Sequence, residues 1–191
     1  MIMGRSNDKR ELILKNSARI FSHKGYFGTG VNEILTACNI PKGSFYHYFP
    51  GGKEQLAVEV LRFAYEEMVE GIKTNIFSVS DNAVDVFSYM LDHLSMIFSK
   101  RHIFESLVIT FMGLESVYIS EELSRESTRV YEEWQELYRL KLIDCGYSEE
   151  DAAGYSLTLF TLVHGSLISC WIKQNTEDLQ RMKQQLPFLL P

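Results

Sequence analysis

"NIPKGSFYHYFPGGKEQL", residues 39–56, is the stretch on which the reading of this chain turns. Four aromatic residues occupy the five positions 45–49, with Lys42 and Gly43 before them and Gly51, Gly52 and Lys53 after. Pro41 suits a first helical turn, where its missing N–H would have no intrahelical partner, so a short helix is predicted over 42–48. At about 100° per residue, Lys42, Gly43, Tyr46 and His47 project into one sector, and Phe45, Tyr48 and Phe49 project into the opposite one. The second set anchors the helix in a core. The first set joins a cation, a residue without a side chain, a phenol and an imidazole, which is poor core material. On a surface it offers donors to phosphate oxygens and base edges, with a glycine where a backbone can approach closely.

Upstream of this stretch the apolar residues recur at three and four. Ile13, Leu14, Ala18 and Phe21 fall on one face of a helix predicted over 8–24 and stopped at Gly25. A second helix is expected over 31–37, capped by Thr29 or Gly30, with Ile34 and Leu35 inward. A helix, a tight "NIP" turn and a second helix with a donor-rich outer face form a helix-turn-helix.

Charge supports the same reading. Residues 1–53 hold eight Lys/Arg against three Asp/Glu, whereas 54–191 hold eleven against twenty-two, within a net charge of -6. Such asymmetry predicts that the first part meets a polyanion and the second does not.

The run "ILKNSARIFSHKGYFGTGVNEILTACNIPKGSFYHYF" followed by "KEQL", residues 13–49 and 53–56, resembles the N-terminal signature of the TetR family of bacterial transcriptional regulators. The resemblance implies a two-fold homodimer on a palindromic double-stranded operator, released when a small-molecule effector occupies the C-terminal domain, and it implies repression. It also implies that Lys42, Gly43, Ser44, Tyr46 and His47 contact DNA, Tyr46 and His47 through phosphates. Thr29 and Lys53 would be further phosphate contacts, and Arg5, Lys9 and Arg10 would reach the backbone or minor groove from an N-terminal arm. Two departures stand out: Pro41 replaces the usual hydroxyl residue before Lys-Gly, and "PGG" puts three residues between Phe49 and Lys53 where two are commoner. The longer spacing resembles a subgroup of multidrug- and flavonoid-responsive repressors.

The remainder reads as helices over about 53–76, from 81 to about 100, over 104–115 and 120–144, then to about 174, and a last one capped by Thr176 and stopped at Pro187. Ser148 with Asp151 three residues on is a capping-box pattern for the helix ending near Gln174. With strand signals nearly absent, the fold class is all-α: a helix-turn-helix domain over 1–52 and a ligand-binding and dimerisation domain over 53–191.

Within the second domain, flexible methionines and flat aromatics suit a site for a planar apolar ligand, and they suit a plain helical core equally. Histidines amid apolar runs sharpen the choice. Met90, His93, Phe111, Trp134, Phe160 and His164 are the candidate ligand contacts. The uncharged stretch 154–172 is long enough to span a bilayer, yet its serines, threonines and His164 point instead to a helix buried on most sides. Its small residues Gly154, Gly165, Ser166 and Ser169 let another helix approach, so paired with the last helix it can form a four-helix dimer interface.

Cys38, Cys145 and Cys170 are odd in number and far apart, as for reduced thiols in a cytoplasmic protein. No cofactor, metal site or membrane partner is expected. An all-helical enzyme using His93 or His164 is one rival; nucleophile-elbow, HExxH and glycine-rich phosphate-loop motifs are missing from the sequence. A DNA-binding protein without a ligand is the other.

Overall fold

The computed structural model describes residues 3–99 and 105–191, with side chains over 8–99 and 108–191. Arg5 and the expected helix start at 104 lie outside the described side chains. Among the described residues all regular structure is α-helical: α1 (Met3–Lys24), α2 (Val31–Cys38), α3 (Lys42–Tyr48), α4 (Gly52–Asn75), α5 (Ala83–Ser99), α6 (Glu105–Ser116), α7 (Glu121–Asp144), α8 (Glu149–Lys173) and α9 (Glu177–Leu189). They form two compact units. The first takes the described residues up to 68 and 105–130; the second takes 69–99 and 131–191. α4 and α7 therefore supply residues to both.

Local chemistry accounts for the helix ends. Gly25 (φ +67°) terminates α1 in the left-handed region that glycine enters without strain. Asn39 (φ 50°) does the same for α2, and the Ile40 N–H closes onto the Leu35 carbonyl at 3.1 Å. Ser148 accepts from the Asp151 N–H at 3.1 Å, but its hydroxyl donates to the Asp151 carboxylate at 2.7 Å, so the expected box is closed side chain to side chain. Thr176 makes no side-chain cap, since the Asn175 side-chain Oδ1 accepts from the Glu177 N–H instead, at 3.1 Å. Pro187 lies inside α9 rather than ending it; so near the C-terminus its ring forgoes one backbone bond.

In the first unit, α1 packs against α2 and α6. Ile13, Phe21, Ile34, Phe45, Phe49, Leu56, Leu61, Val108, Ile109 and Met112 are fully buried, the hydrophobic basis of this unit. Glu126 on α7 is buried and held by Arg62 of α4, at 2.9 Å, and by Arg129. Burial alone would raise its pKa, but the two guanidiniums outweigh it and hold the carboxyl below its ordinary value.

In the second unit α9 packs against α5 and α8. Phe87, Tyr138 and Phe160 form a chain of edge-on rings with centroids 5.3 and 6.0 Å apart. Lys141 is buried with its ammonium on the Ser80 carbonyl at 3.1 Å, tying α7 to the turn before α5. The expectation that α8 is buried on most sides is corrected. Leu157, Leu162, Gly165, Ile168 and Ile172 are exposed and recur at helical spacing along one side, because the single chain has only α9 and its neighbours to cover a helix that is apolar all round.

Candidate nucleic-acid interface and effector site

α3 is fixed by two side chains. Phe45 and Phe49 are 0% exposed, with ring centroids 5.6 Å apart, and the Phe49 N–H closes the helix onto the Phe45 carbonyl at 2.8 Å. Tyr48, expected to share their burial, is half-buried and set edge-on to His47 at 5.3 Å. At the near edge of the aromatic sector, it has room to lean outward. Lys42, Gly43, Tyr46 and His47 are all exposed, Tyr46 by 41%, and Ser44 is half-buried. Nothing in the fold lies within 4 Å of where a Cβ on Gly43 would sit, so no internal contact demands glycine there. The Lys42 ammonium stands 6.0 Å from the Tyr46 ring, within cation–π range. A rigid two-ring anchor thus carries an open, donor-rich face.

Thr29 and Lys53, expected as further phosphate contacts at the starts of α2 and α4, have their side chains engaged within the fold. Thr29 is buried, its hydroxyl donating to the Gly25 carbonyl at 2.7 Å. The Lys53 ammonium donates to the Tyr26 and Thr29 carbonyls at 3.0 and 2.9 Å. Both serve the loop before α2, whose carbonyls lie outside any helix and draw the nearest donors. The N-cap of α2 is Gly30, with no side-chain cap; the Glu33 N–H turns back onto the Gly30 carbonyl at 3.1 Å, and the Val31 and Asn32 amides before it face an outside anion without a capping side chain. Arg10, assigned above to a free arm, is half-buried, paired with Glu59 and 5.6 Å above the Phe49 ring. Lys9 is exposed.

In the second unit three of the six candidate ligand contacts come together. His164 on α8 has its ring 4.1 Å from Phe160 and 4.4 Å from Trp134 of α7, with Tyr131 at 5.5 Å. Its Nδ1 meets the Phe160 carbonyl at 2.8 Å, which fixes the neutral ring with Nδ1 as donor and leaves Nε2 as an acceptor. That Nε2 is buried and without a hydrogen-bond partner. Burial lowers the His164 pKa, and the bond to Phe160 opposes the shift. The Trp134 Nε1 is also buried without a bond of normal geometry; the Tyr138 hydroxyl is near enough to feel it, and burial still drives the Tyr138 pKa far up. Met90 adjoins this cluster by accepting the Tyr138 hydroxyl at 3.4 Å. His93 stands outside it, half-buried and stacked on exposed Tyr89 at 6.4 Å. Phe111 belongs to the first unit. Tyr131 was missed, although it stands three residues before Trp134 and seven before Tyr138, a helical stripe within an otherwise acidic run.

Comparison with known proteins gives a consistent picture. The family model described as "Bacterial regulatory proteins, tetR family" matches residues 13–60, and that described as "Transcriptional regulator LmrA/YxaF-like, C-terminal domain" matches 83–185. The chain is 33% identical over 183 residues to the HTH-type transcriptional regulator LmrA of Bacillus subtilis, covering 96% of this chain and 97% of that protein. It is 27% identical to the HTH-type regulator YxaF of the same organism, covering 96% and 95%. The crystal structure of reduced Escherichia coli NemR shares the fold at a TM-score of 0.83 and 22% identity, covering 94% of this chain and 95% of that one.

Proposed function

Because the chain belongs to the TetR family of transcriptional regulators, in its LmrA/YxaF-like branch, we propose that this DNA-binding regulator is a cytoplasmic repressor released from its operator by a small aromatic effector. The observation that carries the operator half is the division of α3: Phe45 and Phe49 wholly buried, Lys42, Gly43, Tyr46 and His47 open. The four exposed residues with Ser44 meet the major groove, and the uncapped amides of α2 take a phosphate.

One short helix reads few base pairs. Two of them, spaced about 34 Å in a homodimer, multiply the discrimination and require a palindromic operator. The exposed stripe of α8, with the groove lined by Thr161, Leu162, Gly165, Ser166, Met182 and Leu189 beside α9, supports dimerisation through these helices. Both glycines of the stripe, Gly154 and Gly165, have open space above them. On this reading 1–52 is the DNA-binding domain and 53–191 the effector and dimerisation domain.

Support for the effector half comes from His164. A neutral imidazole acceptor, walled by Trp134, Phe160 and Tyr131, suits a hydroxyl on a flat ring system. Since His164 is 8% exposed, occupancy repacks α7 against α8, and both α7 and α4 supply residues to the DNA-binding unit. A ligand bound better in the repacked state lowers operator affinity, typically by about 1–3 kcal/mol of coupling. The test titrates paired aromatics, with and without the hydroxyl, against protein on operator DNA selected from a random-sequence pool. Release by the hydroxylated member at tenfold lower concentration is expected; binding of either ligand with no change in operator affinity refutes the effector half.

A further inference from the structure

The loop between α1 and α2 is gripped from two helices. From the start of α4, Lys53 donates to the Tyr26 and Thr29 carbonyls at 3.0 and 2.9 Å, and its ammonium stands 3.9 Å from the centre of the Tyr26 ring. An ammonium has three protons, and two carbonyls and one ring face account for them. From the last turn of α6, Glu115 Oε2 accepts from the Tyr26 N–H at 2.6 Å. The Glu115 oxygens come so near Gly25 that a Cβ there would stand 2.7 and 2.8 Å from them, and Gly25 is in the left-handed region. Any other residue at 25 would push the carboxylate away.

We propose that Glu115 and Lys53 clamp the 25–29 loop, which makes Glu115 a positioning residue for operator binding and Lys53 a clamp rather than a phosphate ligand. The proposal rests on the DNA-binding reading of α3. The loop leads into the Gly30 cap of α2, and α2 leads through the Asn39 turn into α3, so the backbone at Tyr26 sets where the recognition helix begins. Burial depresses the Lys53 pKa and the Glu115 charge opposes that shift, as expected of two opposite charges acting across one short loop. A displacement of α6 pulls on a main-chain N–H of the helix-turn-helix, with no flexible side chain intervening on the receiving end.

The test uses full-length Lys53→Met, Glu115→Ala and Glu115→Gln proteins. In hydrogen exchange without DNA, Glu115→Ala speeds exchange over 25–38 about tenfold and leaves α8 unchanged. Glu115→Gln keeps an acceptor oxygen and stays within threefold of the parent. On operator DNA selected by the parent protein, Lys53→Met and Glu115→Ala bind about tenfold more weakly, with the slope of log K against log salt unchanged. A slope shallower by about 1.8 in Lys53→Met, about 0.9 for each protomer of the dimer, marks a released phosphate contact and overturns the clamp role of Lys53. Unchanged exchange over 25–38 in Glu115→Ala, or acceleration that extends equally to α8, overturns positioning by Glu115. If the parent enriches no sequence from the pool, the DNA-binding reading is what fails, and the exchange data still decide the clamp.

Discussion

Replacing Gly43 by alanine separates folding from DNA binding more sharply than removing a side chain. Gly43 is exposed within α3, and a Cβ there meets nothing within 4 Å. Alanine in place of a helical glycine stabilises by about 0.5–1 kcal/mol, chiefly through the entropy of the unfolded chain. For a domain of this size that raises Tm by about 1–4 °C. In the groove the consequence reverses. A methyl at the point of closest approach holds the helix off, and the contacts from Lys42, Ser44 and His47 lengthen with it. A hydrogen bond to a charged group is worth about 1.5–3 kcal/mol, so losing one in each of the two half-sites, about 3–6 kcal/mol in all, weakens operator binding by about a hundredfold or more. Thermal unfolding followed by circular dichroism and anisotropy of labelled operator give the two numbers. Parental affinity at raised Tm would refute the reasoning, since the backbone at 43 would then not be where DNA comes nearest.

Three further outcomes follow from the structure. Glu126→Gln loses the charge held by Arg62 and Arg129; because the folded carboxyl lies below its ordinary value, the lost stability, about 1–2 kcal/mol, is present at neutral pH and vanishes as pH falls below about 4.5. Denaturant melts of both proteins from pH 7 to 3 read the convergence. His164→Asn keeps a donor for the Phe160 carbonyl and removes Nε2; since burial holds the folded imidazole below its ordinary value, the unfolded chain takes up protons first, the parent loses stability between about pH 7 and 5, and the variant loses less. Ile172→Glu charges a side chain that is 75% exposed in the single chain; a two-fold interface repeats the change, and two residues at about 1.5–3 kcal/mol each weaken the dimer roughly a hundredfold or more. Sedimentation equilibrium then shows monomer at concentrations where the parent is dimeric.

How much of this was legible in the sequence depended on the range of the interaction involved. Periodicity placed the helices because it reports burial within a few residues: Ile13, Leu14, Ala18 and Phe21 share a face in both readings. The same arithmetic split α3 correctly at Phe45, Phe49, Tyr46 and His47, and failed at Tyr48, which sits at the sector's edge where the neighbouring helices decide. Caps were legible where one residue type does the work, as at Ser148, and not where two adjacent polar residues compete, as at Asn175 and Thr176.

What sequence reasoning could not reach is long-range and polar. Lys53 carries the same charge whether it points at a phosphate or at two carbonyls more than twenty residues away; only the fold shows that the loop's main chain, with no helical partners of its own, captures the ammonium first. Glu115 closes its bond across 89 positions and no local pattern marks it. Its trace in the sequence is indirect and lies at the other end of the contact, in Gly25, which periodicity explains fully as a helix stop. That residue answers two demands at once, a left-handed turn and a close carboxylate. An interaction that hides behind a residue already explained is found by asking of each glycine what a side chain there would strike, and at Gly25 the answer names the helix that holds the DNA-reading module in place.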